Sequence, residues 1–535
     1  MFRPNGVIQL FPLMRIALML VLGIIAGDAF SSFIPSAAWL VLFVLSLILF
    51  RLTRNRPLTA STAILMATGM MGGWLVTCQR ADLNNCPVDE PLRYTAIVTD
   101  EPSLHGKVLQ CRLLVLETNA DQRCEPFAIR ASILRDTLTG RWRTLAQGST
   151  IVGQSVLSRR FHRFPSMRFR LDRWMAAHQL KATTFLHARA WQSTRLTPNQ
   201  EARIPVWERL HLYLSNYRKR LIAQTWNRKM SSENRALLEA MVLGEKSKLS
   251  YAQREAYSIA GVSHILALSG LHLGIIYTVL SLTLSFLFRR VDSNSWTALG
   301  VQSLLTASIW GYVFLVGMPP GAVRSAVMLT IYSAVSLLQR DKMSVNALSL
   351  AALIMLVGNP MLLWDISFQL SFAAVLAIFV FHPPLQAFAR RNEWPGIVTA
   401  LWNFIGVSLA AQMGTAPLVM HYFGRFSTYF LFANLLFIPL ATALLYTSLL
   451  VILLQSLSIV QLGDVLLSLS DLLTTAMNHS ATYLSSLPYA SLECPSFNAA
   501  QTFLVYLLMG SLYILIYRSH RMLRSIRNLR KLSNT

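Results

Sequence analysis

Acidic side chains are scarce in this chain: 24 Asp and Glu stand against 48 Lys and Arg, a formal charge of +24 at pH 7. Charge of either sign is thin as well, at 13% of 535 residues, while hydrophobic residues make up 54%. That balance excludes an ordinary soluble domain and points to a polytopic membrane protein. The shortage of carboxylates does not fit an ordinary solute carrier and suits a polyanion or an anionic lipid surface. Cysteine is sparse too. Cys78, Cys86, Cys111, Cys124 and Cys494 form no CxxC pair, which argues against a structural zinc module and leaves a disulfide among Cys86, Cys111 and Cys124 open. No phosphate-binding Gly-x-x-x-x-Gly-Lys-Ser/Thr loop occurs, since Gly244-Glu-Lys-Ser is too short, so nucleotide energy would have to come from a partner. The histidines form no His-x-His-x-Asp-His cluster, so no metal, cofactor or catalytic group is expected.

What the chain has in quantity is long apolar runs. Ile16 to Ala26 and Ala37 to Phe50 have no small-residue cleavage signal between them, so they read as a retained helical hairpin and not as a signal peptide. A third run covers Ala60 to Val76, and Arg51, Arg54 and Arg56 before it should stay cytoplasmic. Residues 79 to about 260 then lie outside. Apolar runs return at 264–287, 296–316, 322–338, 344–358, 361–381, 398–421, 428–455 and 498–517, with basic pairs or clusters on alternate connections. The tail carries Arg518, Arg521, Arg524, Arg527, Arg530 and Lys531 and no acid, so it too should be cytoplasmic. Parity requires one more crossing at Asp464 to Leu487. That segment has polar residues about seven apart, so it either lines a cavity or lies in the interface. About twelve spans result.

The section outside the membrane alternates like β-structure. Stretches beginning at Tyr94, Lys107, Phe127 and Ser149 read as short strands, and four or five such strands suit a small barrel of the OB type. From Val206 to Trp226 the period turns helical, as an interfacial or linking helix would. Between Arg141 and Arg195 eleven basic residues face one acid, Asp172, and aromatic residues interleave with them. Arg141, Trp142, Arg143, Arg159, Arg160, Arg163, Arg168, Arg170 and Arg173 are therefore candidates for holding single-stranded nucleic acid, the charges for phosphates and the rings for bases. A basic face on anionic lipid is the competing reading.

Within the second group of runs, Gly261 to Gly274 holds His264, Ser269 and His272. At helical spacing Gly270 and Gly274 would open a flat track for close helix contact, and the two histidines would share a face. His264 and Ser269 would diverge by about 140° on one helix, which weighs against a hydrolytic dyad. Arg324, Asp365 and Gln369 also lie inside apolar runs, where an ionisable side chain costs roughly 2.5 to 3.5 kcal/mol unless it pairs or meets water. An Arg324–Asp365 pair and a role in a translocation path are compatible.

Ala236 to Leu249, Gly261 to Gly274, Gly317-Met-Pro-Pro-Gly-Ala-Val-Arg-Ser-Ala, Asn359 to Phe372 and Ala411 to Pro417 together resemble the ComEC family of DNA-uptake channels of natural transformation. The resemblance implies an N-terminal hairpin, an OB-like domain outside the membrane and a competence bundle; with the apolar runs and charges above, the expected order is three N-terminal helices (1–78), the OB-like domain (79–200), linking helices (201–260), the bundle (261–517) and a basic cytoplasmic tail (518–535). It implies an inner-membrane channel for single-stranded DNA, in contact with membrane lipids. It leaves room for a DNA receptor, a separate nuclease, a cytoplasmic ATP-driven motor and a homo-oligomer. The metallo-β-lactamase-like domain of many family members is not expected here, and the OB-linked segment departs from the family pattern at Phe164-Pro-Ser-Met-Arg. A transporter of small anions or lipids and an intramembrane serine hydrolase using Ser269 remain the alternatives.

Overall fold

The structure, a computed structural model, describes residues 11–533 apart from 87–89, 120–124, 137–139, 160–169, 227–229, 289–294 and 338–344. Helices α1 (Pro12–Ala29), α2 (Ser36–Leu52) and α3 (Pro57–Asn84) come first. Proline stands in the first turn of α1 and α3, where no intrahelical N–H is lost. α1 and α3 run in the same direction and touch backbone to backbone. A Cβ added to Gly23 would strike the Gly69 carbonyl, and one on Gly27 would lie 2.6 Å from Gly73 Cα. This is small-residue packing of the kind that lets membrane helices approach closely.

Next come β1 (Pro91–Val98), β2 (Ser103–His105), β3 (Val108–Thr118), β4 (Phe127–Leu134), β5 (Thr150–Ser158), α4 (Leu171–Ala177), β6 (Leu180–Leu186) and β7 (Trp191–Thr194). The order β1-β3-β4-β6-β5 closes back onto β1, with β2 on β3 and β7 on β5. The one parallel pairing joins β4 to β6. These five closed strands make the OB-like barrel expected from the alternating pattern. Period two puts Leu109, Cys111, Leu113 and Val115 of β3 inside with Phe127, Ile129, Ala131 and Ile133 of β4. Cys111 remains a thiol, pushed up to about 12 by burial, and Cys124 lies outside the described residues.

The linking segment holds α5 (Pro198–Ala202), α6 (Val206–Thr225), α7 (Ser232–Leu243) and α8 (Tyr251–Ile259). A short 3-10 turn, Ser263–Ile265, precedes α9 (Gly270–Leu287), α10 (Ser295–Leu315), α11 (Pro320–Leu337) and α12 (Val345–Gly358). A second 3-10 turn, Pro360–Trp364, leads to α13 (Ile366–Arg391) and α14 (Gly396–Phe423). The chain ends with β8 (Arg425–Ser427), α15 (Phe430–Ser456), α16 (Val460–Ser486), β9 (Ser491–Glu493) and α17 (Ala499–Ser533), β8 pairing with β9.

Among the described residues seven helices are long and apolar enough to cross a membrane: α1, α3, α9, α13, α14, α15 and α17. Three shorter apolar helices accompany them: α2, the Leu299–Leu315 part of α10, and α12. The chain is a membrane protein. α11 and α16, which carry Arg324 and Asp464 with Asp471, meet neither description. The polar stripe of α16 turns towards the linking helices: Asn234 donates to Asp471 Oδ1 at 2.8 Å, and Tyr257 donates to Asn478 at 3.2 Å. Asp464 lines a recess of about 350 Å³ with Leu221, Gln224 and Gln455. α7 is buried from Ala236 to Leu243 in a core shared with α15 and α16, so the linking segment is a structural part of the bundle.

One expectation fails. Residues 264–287 are not one helix: the 3-10 turn Ser263–Ile265 comes first, and Ser269, in extended backbone, caps a helix that begins only at Gly270. His264 and His272 therefore do not share a helical face. The expected glycine track fails with it: Gly274 meets nothing within 4 Å, and only Gly270 packs closely, against Ser325.

Candidate nucleic-acid interface

Four loops meet at the end of the bundle nearest the barrel. A Cβ on Gly244, whose φ is +74°, would lie 2.7 Å from Leu268, and one on Gly321 would lie 2.6 Å from the Leu268 carbonyl. α9 and α11 thus start side by side. From α11, Arg324 donates to Ser367 at 2.8 Å and stands 4.0 Å from Asp365, both at the start of α13. Asp365 accepts the Phe368 N–H at 2.8 Å; Gln369 donates to the Leu363 carbonyl at 2.8 Å and accepts from Tyr422 of α14 at 2.7 Å. The sequence's Arg324–Asp365 pair is therefore present, extended into a polar layer. The amino ends of α9, α11 and α13 lie in this layer and turn their positive dipole ends to it.

At the amino end of α9, Ser269 Oγ is 3.0 Å from His272 Nδ1, and the imidazole has no exposed surface. His264 and Lys246 are its electrostatic neighbours. Both residues keep accessible surface, while the protein packed around them desolvates both. Burial pushes His264 down to about 4, leaving it neutral near pH 7, and burial with the nearby Arg254 pushes Lys246 down. Lys246 was not singled out as a candidate, because in the sequence it reads only as part of an incomplete phosphate loop. The carboxylates beside it are committed: Glu245 to Arg218 at 3.1 Å, and the fully buried Glu239 to Lys248 at 2.8 Å. Such pairing is what makes a buried charge tolerable.

The barrel is tied to this layer through Asp28 of α1, whose side chain is 2% exposed. Asp28 pairs with Arg80 of α3 and, at 2.8 Å, with Arg173 of α4. The Arg173 guanidinium lies 3.7 Å from the Trp364 ring centre, one residue before Asp365. Asn359 bonds Gln79 of α3 at 3.0 Å and the Ala177 carbonyl of α4 at 2.9 Å. Asp28 escaped notice, although it is the single acid in the first 81 residues. That isolation in an apolar run was the available signal.

The remaining basic candidates divide. Arg159 bonds the backbone of Lys181 and Cys86 and the side chain of Asn84, holding the barrel to α3. Arg170 pairs with Asp172 at 2.7 Å and is largely exposed. Arg141, Trp142 and Arg143 sit on a short 3-10 turn at one end of the barrel, Arg141 and Arg143 exposed. The Trp142 ring carries Arg135 at 4.8 Å and Arg143 at 5.6 Å. Arg160, Arg163 and Arg168 lie outside the described residues. In OB barrels the second and third strands form the face that takes oligonucleotides. Here part of that face is covered by the chain itself, with Leu114 and Leu116 under Ile204 and Leu212, and Arg112 paired with Glu208 of α6 at 3.3 Å. α6 also reaches the bundle, where Arg218 donates to the Val316 carbonyl at 2.9 Å and Trp207 stacks on Phe314.

Residues 241–519, just over half of the chain, match the family model described as Competence protein. The chain belongs to the Competence family. Its matched segment includes every loop of the polar layer. ComE operon protein 3 of Bacillus subtilis is 30% identical over 269 residues, covering 50% of this chain and 32% of that protein. An uncharacterised protein of Aquifex aeolicus is 29% identical over 216 residues, covering 40% and 47%. Recombination protein 2 of Haemophilus influenzae is 22% identical over 219 residues, covering 39% and 27%. The chain thus spans less than half the length of these relatives. No solved structure matches it.

Proposed function

We propose that this Competence-family protein is a channel for uptake of single-stranded DNA during natural transformation. The observation that carries the reading is the meeting of the family's loops in one polar layer, donor-rich and poor in uncommitted carboxylates, beside a basic barrel. The barrel receives the strand, with Arg141, Arg143 and Arg170 as its exposed cations, and the layer of His264, Ser269, His272, Arg324, Asp365 and Gln369 passes it on. Arg159 and Arg173 position the barrel. No bond is made or broken in this role.

Three N-terminal helices and the nine from α9 to α17 make twelve spans. The polar layer and barrel face outward from the cytoplasmic membrane, because the connection with Arg51, Arg54 and Arg56 and the carboxyl ends of α13 and α17 lie at the opposite end, and short basic connections stay cytoplasmic. A receptor would deliver the DNA, a nuclease would remove the second strand, and a cytoplasmic motor would supply the work. Uptake of labelled DNA by a strain deleted for this gene tests the reading. Loss of internalised label with surface-bound label retained supports it; undiminished internalisation refutes it and favours a small-anion or lipid transporter.

A further inference from the structure

Helix α6 divides its surface three ways. Glu208, Leu212, Ser215 and Lys219, at helical spacing, hold the barrel: Glu208 pairs with Arg112, Leu212 packs with Leu114 and Leu116, Ser215 donates to Gln147, and Lys219 pairs with Glu101. Trp207, His211, Arg218 and Ile222 turn to the bundle. Trp207 stacks on Phe314, a His211 ring atom and an Arg218 nitrogen each lie 3.3 Å from where a Cβ on Gly317 would stand, and Ile222 enters the core that α7, α15 and α16 share. Residues 207 and 218 are about 16 Å apart along α6, yet both reach the short stretch from 314 to 317. α6 therefore runs across the end of α10 and not along it. Because the apolar part of α10 ends at Leu315, the axis of α6 lies near the plane of the membrane surface.

The third face is a stripe of Val206, Leu210, Tyr213 and Tyr217, whose exposure runs from 37% to 76%. At about 100° per residue the stripe points roughly 160° away from the face that holds the barrel. With the barrel above and the bundle alongside, the stripe looks down to the level at which α10 enters its apolar part. Arg209 and Arg220, both exposed, lie between the stripe and the barrel face, at the height of headgroups. A continuous apolar stripe is seldom left to water, and aliphatic and tyrosine side chains rimmed by arginine are the composition of helices that lie in the membrane interface.

We infer that α6 is a lipid-binding helix, in which Val206, Leu210, Tyr213 and Tyr217 enter the headgroup and acyl boundary on the barrel side of the membrane, with Arg209 and Arg220 against anionic phosphates. The inference rests on the chain being a membrane protein and is independent of the cargo. One helix thus fastens the barrel to the bundle and to the lipid surface together.

The test places a photoreactive phenylalanine derivative at Tyr213 of the purified full chain, in nanodiscs of equal parts phosphatidylglycerol and phosphatidylcholine, with the same group at the exposed Leu104 of β2 as reference. Both positions are exposed, so neither replacement disturbs the core. Mass spectrometry after illumination should find lipid joined at position 213, phosphatidylglycerol before phosphatidylcholine, and none at position 104. Arg209 also donates to the carbonyls of Glu201, Ala202 and Ile204, so Arg220 is the cation to remove. Arg220→Gln should lower phosphatidylglycerol capture about fivefold, the worth of one basic side chain at an anionic surface, and leave phosphatidylcholine capture unchanged. Absence of lipid at position 213 would overturn the inference, and a covalent dimer formed through that position would give the stripe to a second copy of the chain instead. Equal capture of the two lipids would overturn the anionic assignment.

Discussion

Asp28 shows how much a single carboxylate can hold. It is almost without accessible surface and joins α1, α3 and the helix of the barrel through two arginines. Removing it strands Arg80 and Arg173 in a partly buried site, and breaking a buried pair from one side costs about 3 kcal/mol. Asp28→Ala should therefore lower the detergent melting temperature and release the barrel to protease between residues 79 and 91, whereas Arg170→Ala, on the exposed Arg170–Asp172 pair, should do neither. Equal behaviour of the two variants would remove Asp28 from this role. At this scale the sequence was uneven. Arg324 and Asp365 stood out because each interrupts an apolar run, and they are paired. Arg173 looked like one more cation in a basic stretch, since its partner lies 145 residues away in a helix of a different region.

At the scale of elements, β1, β3, β4 and β5 were legible because alternation matches the period of a half-buried strand, whereas β6, which stands between β4 and β5 in the barrel, lies in the stretch read for its basic residues. The break before α9 was not legible. Glycine and serine are compatible with packed membrane helices and also with turns and caps, and here the 3-10 turn Ser263–Ile265 and the extended backbone of Ser269 decide between them. The close helix contacts sit elsewhere: at Gly23, Gly27, Gly69 and Gly73, and at Gly414, where a Cβ would lie 2.5 Å from both the Ala373 carbonyl and the Ala377 Cβ. Gly414→Ala should destabilise the α13–α14 pair by about 1 to 3 kcal/mol through overpacking. Gly274→Ala has open space and should be neutral or stabilise by up to about 1 kcal/mol through helix propensity. Thermal unfolding of the two variants side by side checks the contrast; a reversed order would contradict the packing described.

For the whole molecule, sparse charge and abundant apolar residues gave the membrane class, and motifs scattered over 180 residues gave the family. Their joint position did not follow from either. The motifs meet because α9, α11 and α13 begin, and α10, α12 and α14 end, on the same side of the bundle, where α4 and α6 fasten the barrel. The proposed route takes a DNA strand through this polar layer, past the amino end of α9. The direct measurement places a photoreactive amino acid at Ser263, an exposed position beside His264, in cells taking up labelled DNA, with the same group at the exposed Leu508 of α17 as reference. The account predicts a covalent adduct of single-stranded DNA at position 263 during uptake and none at position 508. Uptake that proceeds with no DNA captured at 263 would contradict it.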